Sequence, residues 1–211
     1  MKPILFNTEM VKALVAGKKT ATRRLVKGQH PEWVLKGLAR DPAITKISSS
    51  GIEYPVTVPG LHATFQQDGN PEFPVVKAPY ELDDILYVRE TWSTDSNGDY
   101  VYRANYGTTE DDSFPPSMFK WRPSIHMPRS AARIFLKVDL VKVQKLREMV
   151  LGDVLNEGII EADSFEGTWQ RWHDLWDSTV PAKDIKRCGW EVSPWVWVIT
   201  FHRIDREEAL Q

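Results

Sequence analysis

The sequence predicts an α+β domain: a small β-barrel with flanking helices and a long irregular insertion at about 25–80. Three observations predict it. Segments 85–92, 133–146 and 195–204 alternate side chains with the period of two that a half-buried strand requires. Turn signals separate these segments, and few stretches carry helical spacing. Residues 25–80 are broken repeatedly by Pro31, Pro42, Pro55, Pro59, Pro71, Pro74 and Pro79 and by Gly51, Gly60 and Gly69, so they fit neither pattern.

In chain order, Met10, Val11, Ala13, Leu14 and Val15 form a short helical pattern with Thr8 as N-cap and Gly17 as its stop. A β-leaning run follows over 20–26, with Thr20, Thr22 and Arg24 on one face and Lys19, Ala21 and Arg23 on the other. Within the insertion, 52–58 and 62–66 are expected to form a hairpin. The apolar content there is too scattered for an independent core, so the chain reads as a single domain over 1–211, and the insertion as a lid or a decoration. In 85–92, Ile85, Tyr87, Arg89 and Thr91 oppose Leu86, Val88, Glu90 and Trp92. Asn97-Gly98 signals a hairpin that pairs 100–105 with this strand. In 133–146, Ile134, Leu136, Val138 and Leu140 oppose Phe135, Lys137 and Asp139. Two helices are predicted before the last strand, over 149–158 and 164–178. In the second, Phe165, Trp169, Trp172 and Trp176 fall at helical spacing, which predicts core packing, with base stacking as the alternative.

Length and composition narrow the function. A chain of 211 residues that is 42% hydrophobic and holds nine tryptophans can build a real core. It has no apolar run long enough for a membrane and no signal-peptide pattern at Met1-Lys2-Pro3. The expected location is the cytoplasm. The single cysteine, Cys188, excludes an intramolecular disulfide and a cysteine-based zinc cluster, and His30, His62, His173 and His202 show no metal-ligand spacing. No metal or cofactor is expected.

Net charge is −2 but uneven. Residues 1–40 hold nine Lys/Arg against two Asp/Glu, net +7, and residues 119–147 eight against one, again +7. Residues 41–118 hold four against thirteen, net −9, and residues 148–211 six against thirteen, net −7. The two basic blocks are expected either to converge on one anion-binding face or to alternate with acidic faces around the surface.

The densest chemistry lies in Gly17-Lys18-Lys19-Thr20-Ala21-Thr22-Arg23-Arg24. A threonine hydroxyl becomes a nucleophile when a base takes its proton. Lys19 can serve if neighbouring cations or burial lower its pKa, and otherwise suits a phosphate. Glu157, which ends a short helix before Gly158, can orient the lysine or relay a proton; an exposed helix-end glutamate is the plainer alternative. A second cluster, Trp121, Arg122, Ser124, His126 and Arg129, sits in a loop stiffened by Pro123 and Pro128. Its aromatic face and cations suit a stacked nucleobase with its phosphate. Arg89, Glu90 and Trp92 form a third cluster.

Leu86-Tyr87-Val88-Arg89-Glu90-Thr91-Trp92, Trp121 to Arg129, the Lys-Thr-x-Thr-Arg segment and Asn156-Glu157-Gly158 together resemble the ASCH-domain proteins. The resemblance covers 1–24, 79–105, 121–160 and 189–204. It implies a fold similar to the PUA β-barrel, and many long examples are encoded by phages and prophages. Some small ASCH-like enzymes are amidohydrolases that remove the acetyl group of N4-acetylcytidine with a lysine and threonine of a Gly-x-Lys-Thr-x-Thr segment and a later glutamate. Lys19, Thr22 and Glu157 occupy the matching positions. The resemblance therefore implies metal-independent hydrolysis of a modified nucleoside or RNA base, with Arg23, Arg24, Arg89, Trp92, Trp121, Arg122, Ser124, His126 and Arg129 contacting substrate or nucleic acid. Two other readings stay open: an RNA-binding module or ribonuclease using the same cleft, and a phage accessory protein that binds a host protein through the insertion. The chain departs from the family twice, in Asp83-Asp84 where long relatives have Gly-Asp, and in the length of the insertion.

Overall fold

The computed structural model describes residues 1–47, 53–68, 74–106, 118–160 and 162–211. Ile52, Gly51, Gly69 and Pro71 lie outside them. The fold is mixed α+β. Its main sheet has five strands, β1 (Lys2–Leu5), β8 (Ile85–Arg89), β11 (Phe135–Lys145), β12 (Trp195–Ile204) and β2 (Ala21–Leu25), in that order. Only the β1–β8 pair is parallel. Among the described residues no backbone ladder closes this sheet into the expected barrel. Its two edges are instead joined by a side chain: Arg24 on β2 donates from Nη2 to the carbonyl of Leu5 on β1, 2.9 Å away.

Helix α1 (Thr8–Val15) connects those edges. Its N-cap is Asn7, one residue before the expected Thr8; Asn7 is extended, and its Oδ1 accepts from the Met10 N–H at 2.9 Å. Gly17 has φ +70°, and the helix ends in a Schellman motif: the Lys18 N–H reaches the Ala13 carbonyl and the Gly17 N–H that of Leu14. The chain thus turns abruptly into β2.

Strand β12 is buried on both faces. Trp195, Trp197, Ile199 and Phe201 enter one core with Ile4, Phe6, Leu86, Val88, Leu136 and Val138, whereas Val196 and Val198 enter a second with Trp172, Trp176, Val154 and Leu146. The second core is covered by α2 (Leu151–Asn156), α3 (Phe165–Thr179) and α4 (Ile185–Cys188). A smaller cluster holds Trp92, Met127, Phe135, Ile204 and, from α5 (Arg206–Leu210), Ala209.

Strand β11 departs from its simple alternation. Its register against β12 shifts between Val138 and Leu140, so inward residues change from Leu136 and Val138 to Val141 and Val143. The inserted residue reverses the parity of everything after it. Leu140, expected inside, is therefore 49% exposed.

The proline-rich stretch is not a loose insertion. Strands β3 (Val34–Arg40), β6 (Leu61–Gln66) and β7 (Val75–Lys77) form a second sheet, and β4 (Ala43–Ile47) pairs with β5 (Glu53–Thr57) in a hairpin. The expected pairing of 52–58 with 62–66 is replaced: β5 pairs with β4, and β6 lies between β3 and β7. Phe65 stacks on Trp33 with centroids 4.9 Å apart and meets Trp195 at 5.5 Å, which ties this sheet into the first core. Strand β9 (Trp92–Thr94) pairs with β10 (Tyr100–Tyr102), so a hairpin forms around Asn97-Gly98, but its partner is 92–94 and not the 85–92 strand, and Arg103–Asn105 form a 3-10 turn. Asp95 Oδ1 accepts from the N–H groups of Asn97 and Asp99 in its turn. Asp83 adopts φ +65°, a left-handed turn conformation that aspartate tolerates better than most residues with a side chain.

The parity reversal has a direct test. Leu136→Ala opens a cavity in the first core and should cost about 2–5 kcal/mol in denaturant unfolding, whereas Leu140→Ala should stay within about 0.5 kcal/mol. Equal costs would place Leu140 in the core and remove the bulge.

Candidate functional site

Lys19 and Glu157 face each other across an isolated antiparallel bridge between the entry to β2 and the end of α2. Both are 2% exposed. The Lys19 ammonium donates to Glu157 Oε2 at 2.7 Å, to the Glu157 carbonyl at 2.8 Å and to the Ala21 carbonyl at 2.8 Å. Three donated bonds use all three ammonium hydrogens. Arg23, on the same strand face as Lys19, donates from Nη1 to Glu157 Oε1 at 3.1 Å and brings Nη2 to 3.2 Å from Asp153 Oδ1. Asp153 and Glu157 lie four residues apart, so the short helix presents both carboxylates to one cation row.

The sequence dictates this meeting locally. Gly158 has φ +85°, which a side chain rarely adopts, and a Cβ there would sit 2.7 Å from Ala13 Cβ and 3.0 Å from Lys19 Cβ. Only glycine lets the chain after Glu157 pass this close to α1 and Lys19. Burial pulls the Lys19 pKa below its ordinary value; the Glu157 carboxylate opposes that shift, and Arg24 and Arg23 add to it. Phe6 lies beneath two of these cations, with Lys19 Nζ 5.3 Å and the Arg24 guanidinium 5.6 Å from its ring centre.

Thr22 is 1% exposed and joins Glu157, Arg23 and Arg24 in lining a cavity of about 30 Å³ closed by Met10 of α1 and by Trp172, Leu175, Trp176 and Thr179 of α3. The expected hydrogen bond between Lys19 and Thr22 is not among those of the ammonium. Lys19 folds back on Glu157 and Ala21, because the bridge sets the Glu157 carbonyl and carboxylate against it. Three buried donors around this cavity lack a hydrogen-bond acceptor among the described residues: Arg23 Nε, Arg23 Nη2, whose approach to Asp153 is off-line, and Trp172 Nε1. A concentration of unmatched donors is a place for an oxygen atom. The volume gives room for about two water molecules.

The other predicted residues do not line this cavity. They gather around β8, β9 and the loop before β11. Arg89 donates from Nε to the Met127 carbonyl at 2.9 Å and from Nη2 to the Ile125 carbonyl, and so clamps the loop carrying Ser124 and His126. Trp92 is 5% exposed and packs in the third cluster; Arg122 covers its ring at 4.8 Å and pairs with it through a backbone bridge. Trp121 packs against Phe119 and Tyr106, with Arg103 5.7 Å from its ring centre. Ser124 and His126 flank exposed Ile125 in a 3-10 turn, and Arg129 reaches Met1 Sδ at 3.4 Å. Trp92 and Arg89 thus serve packing and loop anchoring.

Sequence reasoning placed Glu90 in a cluster but missed its partner, Arg133, with which it anchors this second region. Glu90, 1% exposed, takes both nitrogens of a bidentate pair from Arg133, each at 2.9 Å, and Arg133 covers Tyr102 at 4.0 Å. The available signal was parity: Glu90 shares a strand face with Leu86, Val88 and Trp92, all buried. Asp153 was missed too, although its spacing from Glu157 exposed it. Part of each basic block is already paired. Lys2, Lys19, Arg23, Arg40, Arg133, Lys137 and Arg147 each pair with a carboxylate, four of them with residues of the 41–118 block. Among the described residues no group of three or more His, Cys, Asp or Glu is placed to hold a metal, and no helix is long and apolar enough to cross a membrane.

No protein-family model, no curated protein and no solved structure matches this chain.

Because Glu157 neutralises two buried cations, Glu157→Ala should destabilise the fold by about 3–5 kcal/mol in chemical denaturation. The double variant Lys19→Met, Glu157→Leu, which removes the principal pair together, should cost less than Glu157→Ala alone. Equal or greater loss in the double variant would mean that the pair itself, not the stranded charge, carries the stability.

Proposed function

We propose that this chain is an amide hydrolase acting on an acylated nucleobase, of the N4-acylcytidine type, with Thr22 as nucleophile, Lys19 as its base and Glu157 as the proton relay. One observation carries the reading: Arg23 and Trp172, which hold unmatched buried donors, line the same cavity as Thr22 and Glu157. Amide hydrolysis places a developing negative charge on the acyl oxygen, and preorganised donors in a dry site favour that charge most. The lowered pKa of Lys19 supports its part, since only the neutral amine accepts a proton.

On this reading Lys19 first passes an ammonium proton to Glu157 Oε2, 2.7 Å away, and the freed amine turns to Thr22, taking its proton as Thr22 Oγ attacks the acyl carbon. The C–N bond then breaks as the Glu157 carboxyl gives its proton to the departing amine, which returns Glu157 to the carboxylate and leaves Lys19 as the ammonium. Water next cleaves the Thr22 ester and releases the carboxylic acid. Both steps conserve atoms and need no oxidant or reductant. The cavity admits about two waters with α3 in place. Entry of an acylated base therefore requires Trp172 and Trp176 to withdraw with their helix, and the acyl oxygen takes the place water can occupy. The same reading takes the curled sheet, its edges joined by Arg24, as the counterpart of the PUA-like barrel that the resemblance implies.

Purified protein should release cytidine and acetate from N4-acetylcytidine, either as the nucleoside or within a short RNA. Thr22→Ala should lower kcat by at least about a hundredfold while KM changes little, because the nucleophile acts mainly in the transition state. Thr22→Ser should retain measurable turnover. Full activity in Thr22→Ala would remove the nucleophile. Absence of wild-type turnover on both substrates would remove the hydrolase reading and leave the cavity a structural ion-pair site.

A further inference from the structure

A second cavity lies apart from Thr22 and shares no lining residue with the cavity there. It is an open groove of about 500 Å³ along the start of α3, walled by Phe165, Trp169 and Trp190, with Glu166 and Arg147 at its sides. The stripe Phe165, Trp169, Trp172, Trp176 therefore divides. Its last two rings are core, and Phe165 is 58% exposed. The ring pairs are tilted: Phe165 and Trp169 by 64° at 6.1 Å, Trp169 and Trp190 by 48° at 5.8 Å. Tilted neighbours present several ring faces to one space instead of a single stacking plane.

The charge around these rings is negative. Glu166 has no ion-pair partner among the described residues. Asp174 and Asp177 flank the groove through their bonds to Gln170 and His173, and Glu191 stands 3.7 Å from Arg147. Of the groove's lining residues Glu166 is the one carboxylate; the flanking Asp177 pairs with His173 and Glu191 with Arg147, which both line the groove. This balance disfavours a phosphate chain, whose binding depends on unpaired cations. Ring faces joined to carboxylates suit a weakly hydrated cation, attracted by the ring quadrupoles and by Glu166.

We propose that this groove binds a small organic cation carrying an alkylated ammonium group. The site is independent of the Thr22 chemistry, and its test does not read hydrolysis.

Choline is the probe, with its uncharged isostere 3,3-dimethylbutan-1-ol as control, both followed by saturation-transfer NMR on the ligand methyl protons and by titration. Choline should bind saturably, and the isostere at least about fivefold more weakly. Glu166→Gln, a surface change that leaves the fold intact by circular dichroism, should weaken choline by about threefold to tenfold, and Phe165→Ala by a similar factor. Arg147→Ala should tighten choline, because it removes the arginine that lines the groove. Equal binding of the isostere, or weaker choline binding in Arg147→Ala, would overturn the proposal. So would the lack of a saturable choline signal, and cytidine monophosphate binding more tightly than choline would assign the groove to anionic nucleotides instead.

Discussion

Two cations and one carboxylate with almost no contact with water, Lys19, Arg23 and Glu157, join the first turn of β2 to the last turn of α2. Removing such charges from water costs several kcal/mol each, so the arrangement persists only because its bonds are nearly complete. Lys19 satisfies every hydrogen, and both Glu157 oxygens are taken. The residual positive charge is balanced by Asp153, which keeps partial contact with solvent. Thr22 lies between the two cations on the strand, so the ion-pair geometry fixes its position more firmly than any contact of its own hydroxyl does.

That cluster sits where the two cores meet. Strand β12 divides them, with large rings on one side and Val196 and Val198 on the other, and β2 pairs with it from Ala21 to Leu25. A strand buried on both faces cannot shift register without exposing one core, so β2 is held by a rigid neighbour. The opposing wall is a single helix. Helix α3 closes the cavity with Trp172 and Trp176, yet its start runs out of the core and leaves Phe165 exposed. Buried apolar contacts hold the middle of α3 through Trp172 and Trp176, whereas its start at Phe165 has fewer of them, and local stability follows that difference.

Much of this was legible in the sequence, and the misses have physical causes. The helix before Gly17 was readable from its spacing and its stop, and strand parity put Lys19 with Arg23 and Glu90 with the buried residues of its strand. What parity cannot show is an interruption of parity. One extra residue near Asp139 turned Leu140 outward, and no residue type there announces it. The prolines of 25–80 read as breaks because a break looks the same in a loop as at the ends of short paired strands. Phe65 was the residue that mattered, and its partners Trp33 and Trp195 lie far away in the sequence. The Lys19 and Glu157 pairing was reachable only through resemblance, since nothing local links positions separated by 138 residues.

The alternation of charge along the chain has the same origin. Blocks of +7 and −9 look like separate surfaces when read in order. In the fold four of these cations find carboxylates of the acidic 41–118 block: Lys2 with Asp84, Arg40 with Glu81, Lys137 with Asp83, and Arg133 with Glu90. A cation already matched to a carboxylate releases no counterion to a phosphate, so the blocks cannot be counted toward nucleic-acid affinity by their formal charge. The exposed pairs contribute little to stability. The buried ones, Arg133 with Glu90 and Lys19 with Glu157, instead fix which strands meet, because each leaves an uncompensated charge in any other register. Polar groups that remain unmatched among the described residues include the buried donors of Arg23 on β2 and Trp172 on α3, two residues that line the cavity beside Thr22.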